Sequence, residues 1–233
     1  MANDAGNSRE IAMKYFLLGI LFFHCLLGAD SEKFTVVEPT EAKKFMAQMR
    51  QEMEKVKSVA FCFRQEKHLV LFEDILHLRG WCYVEKPDKI RWEYVAPIRK
   101  NIVLCSDEVK VYKGLEEIHS DENQGLQLVY RYILDFFSGK FETEHSPFIG
   151  TLKKNDQEPD IYWLELKSQE KLAKFVDHLE MKISKKSCQL VQFFLFEPNG
   201  DYTVIEVESY IPNPRLALDL FGKKVIEHFQ DGF

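Results

Sequence analysis

The stretch GWCYVEKPDKIRWEY, residues 80–94, decides the fold. Ile90, Trp92 and Tyr94 alternate with Lys89, Arg91 and Glu93, a period of two that predicts a strand with large apolar groups on one face and charges in water on the other. Upstream, Leu76, Leu78, Gly80, Cys82 and Val84 share one parity against His77, Arg79, Trp81, Tyr83 and Glu85, which predicts a second amphipathic strand. Lys86-Pro87-Asp88 marks the bend between them, because proline supplies no backbone donor and aspartate tolerates turn conformations.

Working outward, residues 58–67 alternate again, with Val59, Phe61, Phe63 and Gln65 on one face. Strand-like segments follow to about Tyr112 without the helical intervals that a parallel sheet needs, so the sheet is expected to be antiparallel. Residues 116–123 are polar and read as a loop or a fraying edge. Helical period returns through Leu126, Val129, Tyr130, Ile133 and Phe137, with Gly139 placed to end the helix. Further strands are expected at residues 141–145, 161–167, 176–184, 190–196 and 202–210.

Ahead of all these, Pro39-Thr40-Glu41 predicts a helix start with Thr40 as cap. Ala42, Phe45, Met46, Met49, Met53 and Val56 then form one apolar stripe. A methionine-rich stripe has two explanations, packing against the sheet or a flexible lining for an irregular apolar ligand. Two helices cannot cover both faces of so long a meander, and curling is how such a sheet hides one face.

A chain of 233 residues with 45% apolar content suits a single packed domain. Its formal charge of −6 without a basic run makes it a poor partner for nucleic acid or anionic lipid. Residues 15–27 form a short apolar run behind Lys14 and ahead of Gly28-Ala29, which reads as a secretory signal peptide, residues 1–29, before a mature domain of residues 30–233. Cys25 offers lipidation as the alternative. The later cysteines, Cys62, Cys82, Cys105 and Cys188, lack zinc or redox-motif spacing, and parity puts Cys62 and Cys82 on opposite faces. They read as small hydrophobes.

Catalytic patterns are nearly absent: there is no Gly-x-Ser-x-Gly, His-Glu-x-x-His or phosphate-cradling glycine loop. Ser168-x-x-Lys171 matches one acyl-transfer pattern, but two fixed positions arise by chance and the companion motifs are missing. The expectation is a protein with no enzymatic activity, no cofactor and no metal.

The wording of the chain resembles the family of the outer-membrane lipoprotein carrier LolA. The resemblance runs through Phe63-Arg64-Gln65, Gly80, Lys86-Pro87, Ile90-Arg91-Trp92, the 162–166 stretch YWLEL, Pro198-Asn199-Gly200 as a hairpin turn, and Asn213-Pro214-Arg215-Leu216 with Phe221. It implies a mainly antiparallel α+β fold: an incomplete, strongly curved β-barrel with a helical lid over an apolar cavity. It further implies that Phe45, Met49, Met53, Phe61, Phe63, Leu78, Val84, Ile90, Trp92, Tyr94, Val129 and Ile133 line a cavity for acyl chains, where residue patterning alone also allows plain core. Ile90 stands where the family has a phenylalanine. Lys86 shares a face with Val84 and Ile90 and so needs acceptors or a cavity mouth. The resemblance implies a lid latch there, made in the family by an arginine; a solvated lysine beside a turn is the alternative.

The implied role is a monomeric periplasmic shuttle, soluble after signal-peptide cleavage. It would carry acylated lipoproteins from an inner-membrane ATP-driven releasing complex to an outer-membrane acceptor. The alternatives are a LolA-like sensor or carrier for another apolar ligand, and a hydrolase using Ser168 and Lys171.

Overall fold

Alternation becomes architecture because each strand has one face that water does not tolerate. The computed structural model describes residues 33–72, 74–106, 108–118, 123–138, 146–169 and 172–222, with the side chains of residues 123–128 excepted. The signal-peptide reading, Cys25, Gly139, the strand expected at 141–145, Lys171 and the tail from Lys223 lie outside those residues.

Twelve antiparallel strands form one sheet. They are β1 (Phe34–Val36), β2 (Ser58–His68), β3 (Ile75–Glu85), β4 (Lys89–Ala96), β5 (Lys100–Cys105), β6 (Glu108–Lys113), β7 (Glu116–Ile118), β8 (Phe148–Asn155), β9 (Ile161–Ser168), β10 (His178–Ser184), β11 (Leu190–Phe196) and β12 (Tyr202–Pro212). Helix α1 (Pro39–Glu54) joins β1 to β2, and α2 (Asn123–Phe137) lies between β7 and β8. The spatial order is β1-β8-β9-β10-β11-β12-β2-β3-β4-β5-β6-β7, so β1 and β7 are the edges and the sheet stays open. It is the incomplete, curled barrel expected from the sequence.

The inner faces bury one continuous apolar cluster that includes Phe61, Phe63, Cys82, Val84, Ile90 and Trp92 from β2 to β4. Leu164, Leu166, Met181 and Ile183 supply it from β9 and β10, Phe45, Met49 and Met53 from α1, and Leu134, Phe136 and Phe137 from α2. Lys86, Pro87 and Asp88 make the turn between β3 and β4, and Gly200, at φ +91°, sits in the turn between β11 and β12.

Several local expectations need correction. The first helix begins at Pro39 with Glu38 as N-cap and no side-chain cap bond, so Thr40 is not the cap; proline at the first position loses nothing, since that N–H has no helical partner. Of the two readings of residues 116–123, the edge holds for 116–118, which form the short edge strand β7 paired to β6, and the loop does not. Strands β1 and β8 were invisible to alternation: β1 is three exposed residues, and β8 buries only Leu152 and Asn155 outright.

The largest departure is on the convex face of β4, which is not wet. Arg91 is 0% exposed and Glu93 4%, joined by a 3.1 Å ion pair from Arg91 Nε to Glu93 Oε2. Residues 214–222 cover them: Leu220 is buried, and its carbonyl accepts a 3.3 Å bond from Arg91 Nη1. Val103, Asn101 and Tyr112, the outward residues next in register on β5 and β6, are buried as well.

The four cysteines among the described residues are free, with Cys62 opposite Trp81 in register and Cys82 opposite Phe61. Burial pushes the thiols of Cys62, Cys82 and Cys188 up, which disfavours the reactive thiolate.

Gly80 sits at a register shift where β3 meets β4, and a Cβ there would lie 2.0 Å from the Glu93 carbonyl oxygen and 2.6 Å from Phe63 Cζ. Backbone cannot retreat as a side-chain end can. Gly80→Ala is therefore expected to cost about 3 kcal/mol, the upper end for overpacking, measured as a lower urea midpoint. Glu93→Leu leaves the Arg91 guanidinium buried beside an apolar group and should cost about 3–5 kcal/mol in the same measurement.

Candidate functional site

The curl brings strands from both arms of the sheet to face one helix. Beneath α2 lies a void lined by Ile133, Phe136 and Phe137 of the helix and Phe61 and Trp92 of β2 and β4. Met181, Leu190, Phe193, Ile205 and Val207 of β10, β11 and β12 close the other side. Every lining side chain is apolar in character. The unfilled space is about 380 Å³ counted to its open side, yet the centre of a water-sized sphere has only about 30 Å³ in which to move. Water gains nothing there, having too few polar partners.

The expected lining residues divide. Phe61, Trp92 and Ile133 meet at the void. Phe45, Met49, Met53, Phe63, Val84 and Ile90 fill the core around it, and Tyr94 and Val129 pack against that core half-buried. Leu78 is buried outside the cluster, in a polar groove with Arg64, Gln65 and Glu206. The far wall, from Met181 to Val207, escaped the sequence reading. Its signal was the alternation of Phe193 and Leu195, and of Thr203, Ile205 and Val207, which marks inner faces but not which inner faces meet.

An aromatic cluster frames the void. Phe63 stacks obliquely on Trp92 at 4.3 Å between ring centres, Phe61 stands edge-on to Trp92 at 6.0 Å, and Tyr130 of α2 lies 6.2 Å from it. Two polar features interrupt this apolar interior. The Tyr94 hydroxyl donates to Gln65 Oε1 at 3.1 Å, and burial pushes its pKa up to about 12. Trp92 Nε1 is buried, with no partner at full hydrogen-bond geometry among the described residues.

Helix α1 crosses the concave side and is held at both ends. Near its start, the Tyr162 hydroxyl of β9 donates to Glu41 Oε1, Lys154 stands 3.6 Å from Glu41 Oε2, and Phe45 meets the Tyr162 ring at 4.6 Å. At its end, Lys86 Nζ donates to the Met53 carbonyl at 2.5 Å. That carbonyl belongs to the last helical turn, where acceptors lack helical partners and a cation is favoured by the dipole. Desolvation draws the Lys86 pKa down, opposed by Glu54.

Just beyond, Asn213 staples the joint between α1 and β2. Its Oδ1 accepts from Lys57 N at 2.7 Å, its Nδ2 donates to the Lys55 carbonyl at 3.3 Å, and its own N–H donates to the Ser58 carbonyl at 2.8 Å. A φ of +51° suits asparagine there.

Chemistry is poorly served. Ser168 is the last residue of β9, and its buried Oγ has no partner among the described residues. Among those residues, no three of His, Cys, Asp and Glu gather as a metal site, and no helix is long and apolar enough to cross a membrane.

An open, curled antiparallel sheet with helices strapped over an apolar void defines a binding protein for apolar ligands. The chain belongs to the outer membrane lipoprotein carrier protein LolA family, whose model matches residues 54–224. That family is one of periplasmic carriers rather than enzymes. No curated protein sequence matches the chain.

Among solved structures it is similar to an uncharacterised conserved protein from Thermus thermophilus, at 12% identity and TM-score 0.47, covering 82% of this chain and 96% of that one. A LolA superfamily protein from Nitrosomonas europaea is similar at 8% identity and TM-score 0.40, over 76% and 97%. The Pseudomonas aeruginosa MucA/MucB complex is similar at 12% identity and TM-score 0.42, over 78% of this chain and 60% of that one. At these scores the membership rests on the family match.

Hydrogen bonding from Tyr162, foremost, and Lys154 hold the exposed Glu41 carboxyl below its ordinary 4.5, against slight desolvation. A carboxyl with a lowered folded value stabilises the folded state above the unfolded value, and that contribution is lost as pH falls through the folded one. Below pH 4.5 the first turn of α1 should therefore lose amide protection, measured as exchange relative to the intrinsic rate at each pH, and Tyr162→Phe should blunt that acid dependence.

Proposed function

We propose that this protein is a periplasmic carrier that takes the acyl chains of lipoproteins beneath its helices. It receives them from an inner-membrane ATP-driven releasing complex and surrenders them to an outer-membrane acceptor. Residues 1–29 serve as the export signal and residues 30–233 as the carrier domain. The observation that carries this reading is the void under α2, beside a helix α1 latched by one lysine. Burying hydrocarbon is worth about 0.8 kcal/mol per methylene, so an acylated protein does not cross water unaided.

The narrowness of the void shapes the mechanism. The centre of a water-sized sphere has only about 30 Å³ in which to move there, so an acyl chain enters only by moving α1, α2 or the side chains between them. The methionines of α1 suit such movement, since unbranched thioethers repack at little cost. In the closed form, the Lys86 bond to Met53 favours the empty state. Loading breaks it, and its re-formation favours release. Partners then set the direction of transfer through their differential affinities.

The same narrowness favours a second reading, a sensor or carrier for a smaller apolar ligand. Native mass spectrometry of protein from its own host separates the two by ligand mass.

Lys86→Leu removes the bond that favours the empty form. It should bind a triacylated lipoprotein about tenfold more tightly, the low end for a charged hydrogen bond at a half-buried site, and fail to hand it to the acceptor. Transfer at the wild-type rate would refute the latch.

A further inference from the structure

Antiparallel strands turn alternately at the two ends of a sheet, and here the two ends differ in kind. At the end that holds Lys86, the described turn residues, 86–88, 106, 156–160 and 185–189, expose no large apolar side chain. At the other end, four of the turns do. Between β2 and β3 stand Val70, Leu71 and Phe72, exposed to 66%, 90% and 65%; Ile98 lies between β4 and β5, Leu115 between β6 and β7, and Phe175 between β9 and β10. One exposed leucine is ordinary, but so many large apolar groups at one end mark a contact surface.

The β2–β3 tip is built rather than frayed. Phe72 N–H donates to the Leu69 carbonyl at 3.0 Å and closes the turn, while Val70 N–H donates at 2.8 Å to Asp201 Oδ1 beside the β11–β12 turn. Gly200 in that neighbouring turn packs so close that a Cβ there would lie 3.0 Å from Val70 Cγ2. The backbone is thus braced while Leu71 and Phe72 are held out in water.

Charge selects among occupants. At three of the four tips a cation adjoins the apolar residue: Arg99 follows Ile98, Lys174 precedes Phe175, and Lys113 stands two residues before Leu115. None of the three has an ion-pair partner among the described residues. An apolar group beside an unpaired cation matches the edge of a bilayer, where acyl chains lie just beneath phosphates. The tips sit on separate turns, which suits a fluid surface that each enters on its own; a folded partner would need a matching pit for every one. With a net charge of −6 the chain is not drawn to anionic lipid from a distance, so the contact is short-range and reversible.

We infer that this end of the sheet is a membrane-contact surface, where Leu71 and Phe72 enter the interface of a phospholipid bilayer and Arg99, Lys113 and Lys174 meet its phosphates. The contact does not depend on what fills the void. The α1–β2 joint, beside Lys86 at the opposite end of the strands, stays clear of the lipid.

The test mixes the full-chain protein with vesicles of phosphatidylethanolamine and phosphatidylglycerol, and reads co-sedimentation together with hydrogen exchange at the turns. Vesicles should slow exchange at residues 70–72, 98–99, 113–115 and 174–175 and leave 86–88 and 156–160 unchanged. Leu71→Asp should weaken vesicle binding about tenfold, as withdrawing one leucine from an apolar phase allows. Leu218→Asp, at a leucine no less exposed but on segment 214–222, should not. Both sites lie at the surface, so neither substitution threatens the fold. The apolar run 15–27 is common to all three proteins, so a difference among them reports the tips. Absence of vesicle binding, or equal binding by the wild type and Leu71→Asp, would overturn the inference. So would protection of the tips that needs no vesicles and grows with protein concentration, which makes a second copy the occupant. Each of these results leaves the carrier reading standing.

Discussion

Everything in this structure answers to one constraint: a twelve-strand sheet has an apolar face that must be hidden, and the described residues hold only two α-helices with which to hide it. From β1 to β2 the strand order advances six places, about 29 Å if the sheet lay flat. Helix α1 makes that connection with 16 residues, about 24 Å of helix. Its length is that of a chord across a curved sheet. Helix α2 likewise follows one edge strand and precedes a strand next to the other edge, and its residues share one void with β2, β4 and β10 to β12. A flat sheet would not bring those strands to a common helix. Curl, void and straps are therefore one solution, driven by the removal of apolar surface from water.

The convex side shows that burial in this fold is not confined to the barrel interior. Segment 214–222 seals the Arg91 and Glu93 pair at β4. On the other arm, Trp163, Phe194, Phe196 and Tyr202 stack in succession across β9, β11 and β12, ending against His68 of β2. Each stacked ring covers its neighbour, so outward aromatics lose water contact without a second layer. The pair is the costlier device, since charges taken from water must find each other in good geometry. It keeps the last described segment in register with the strand whose inner face holds Trp92.

How far the sequence foretold this depended on what each signal measures. Alternation reports which side chains share a face, and it correctly grouped Phe61, Phe63, Val84, Ile90 and Trp92. It does not report whether a face is covered, so Arg91 and Glu93 read as solvated when a distant segment lies over them. It also fails for strands that bury little, such as β1 and β8. The void was legible only from one side, because Phe61 and Trp92 belong to the arm with the plainest pattern, whereas Ile205 and Phe193 become their neighbours through curvature. Lys86 was singled out because a lysine on an apolar parity must find an acceptor, and the Met53 carbonyl is where it finds one. Asn213 entered the reading only as part of a resemblance. Its amide bonds to the α1–β2 joint follow from a fold that no local pattern describes.

Those bonds give α1 unequal ends. At one end Asn213 grips three backbone groups across the joint with the last strand, two through its amide side chain and one through its own N–H; at the other an exposed carboxylate meets a phenol and an ammonium. Backbone held by an amide changes little with acidity or salt, whereas an exposed ion pair weakens with both. Acid and salt therefore reach this strap through its Glu41 end, while the Asn213 end keeps its grip on the sheet.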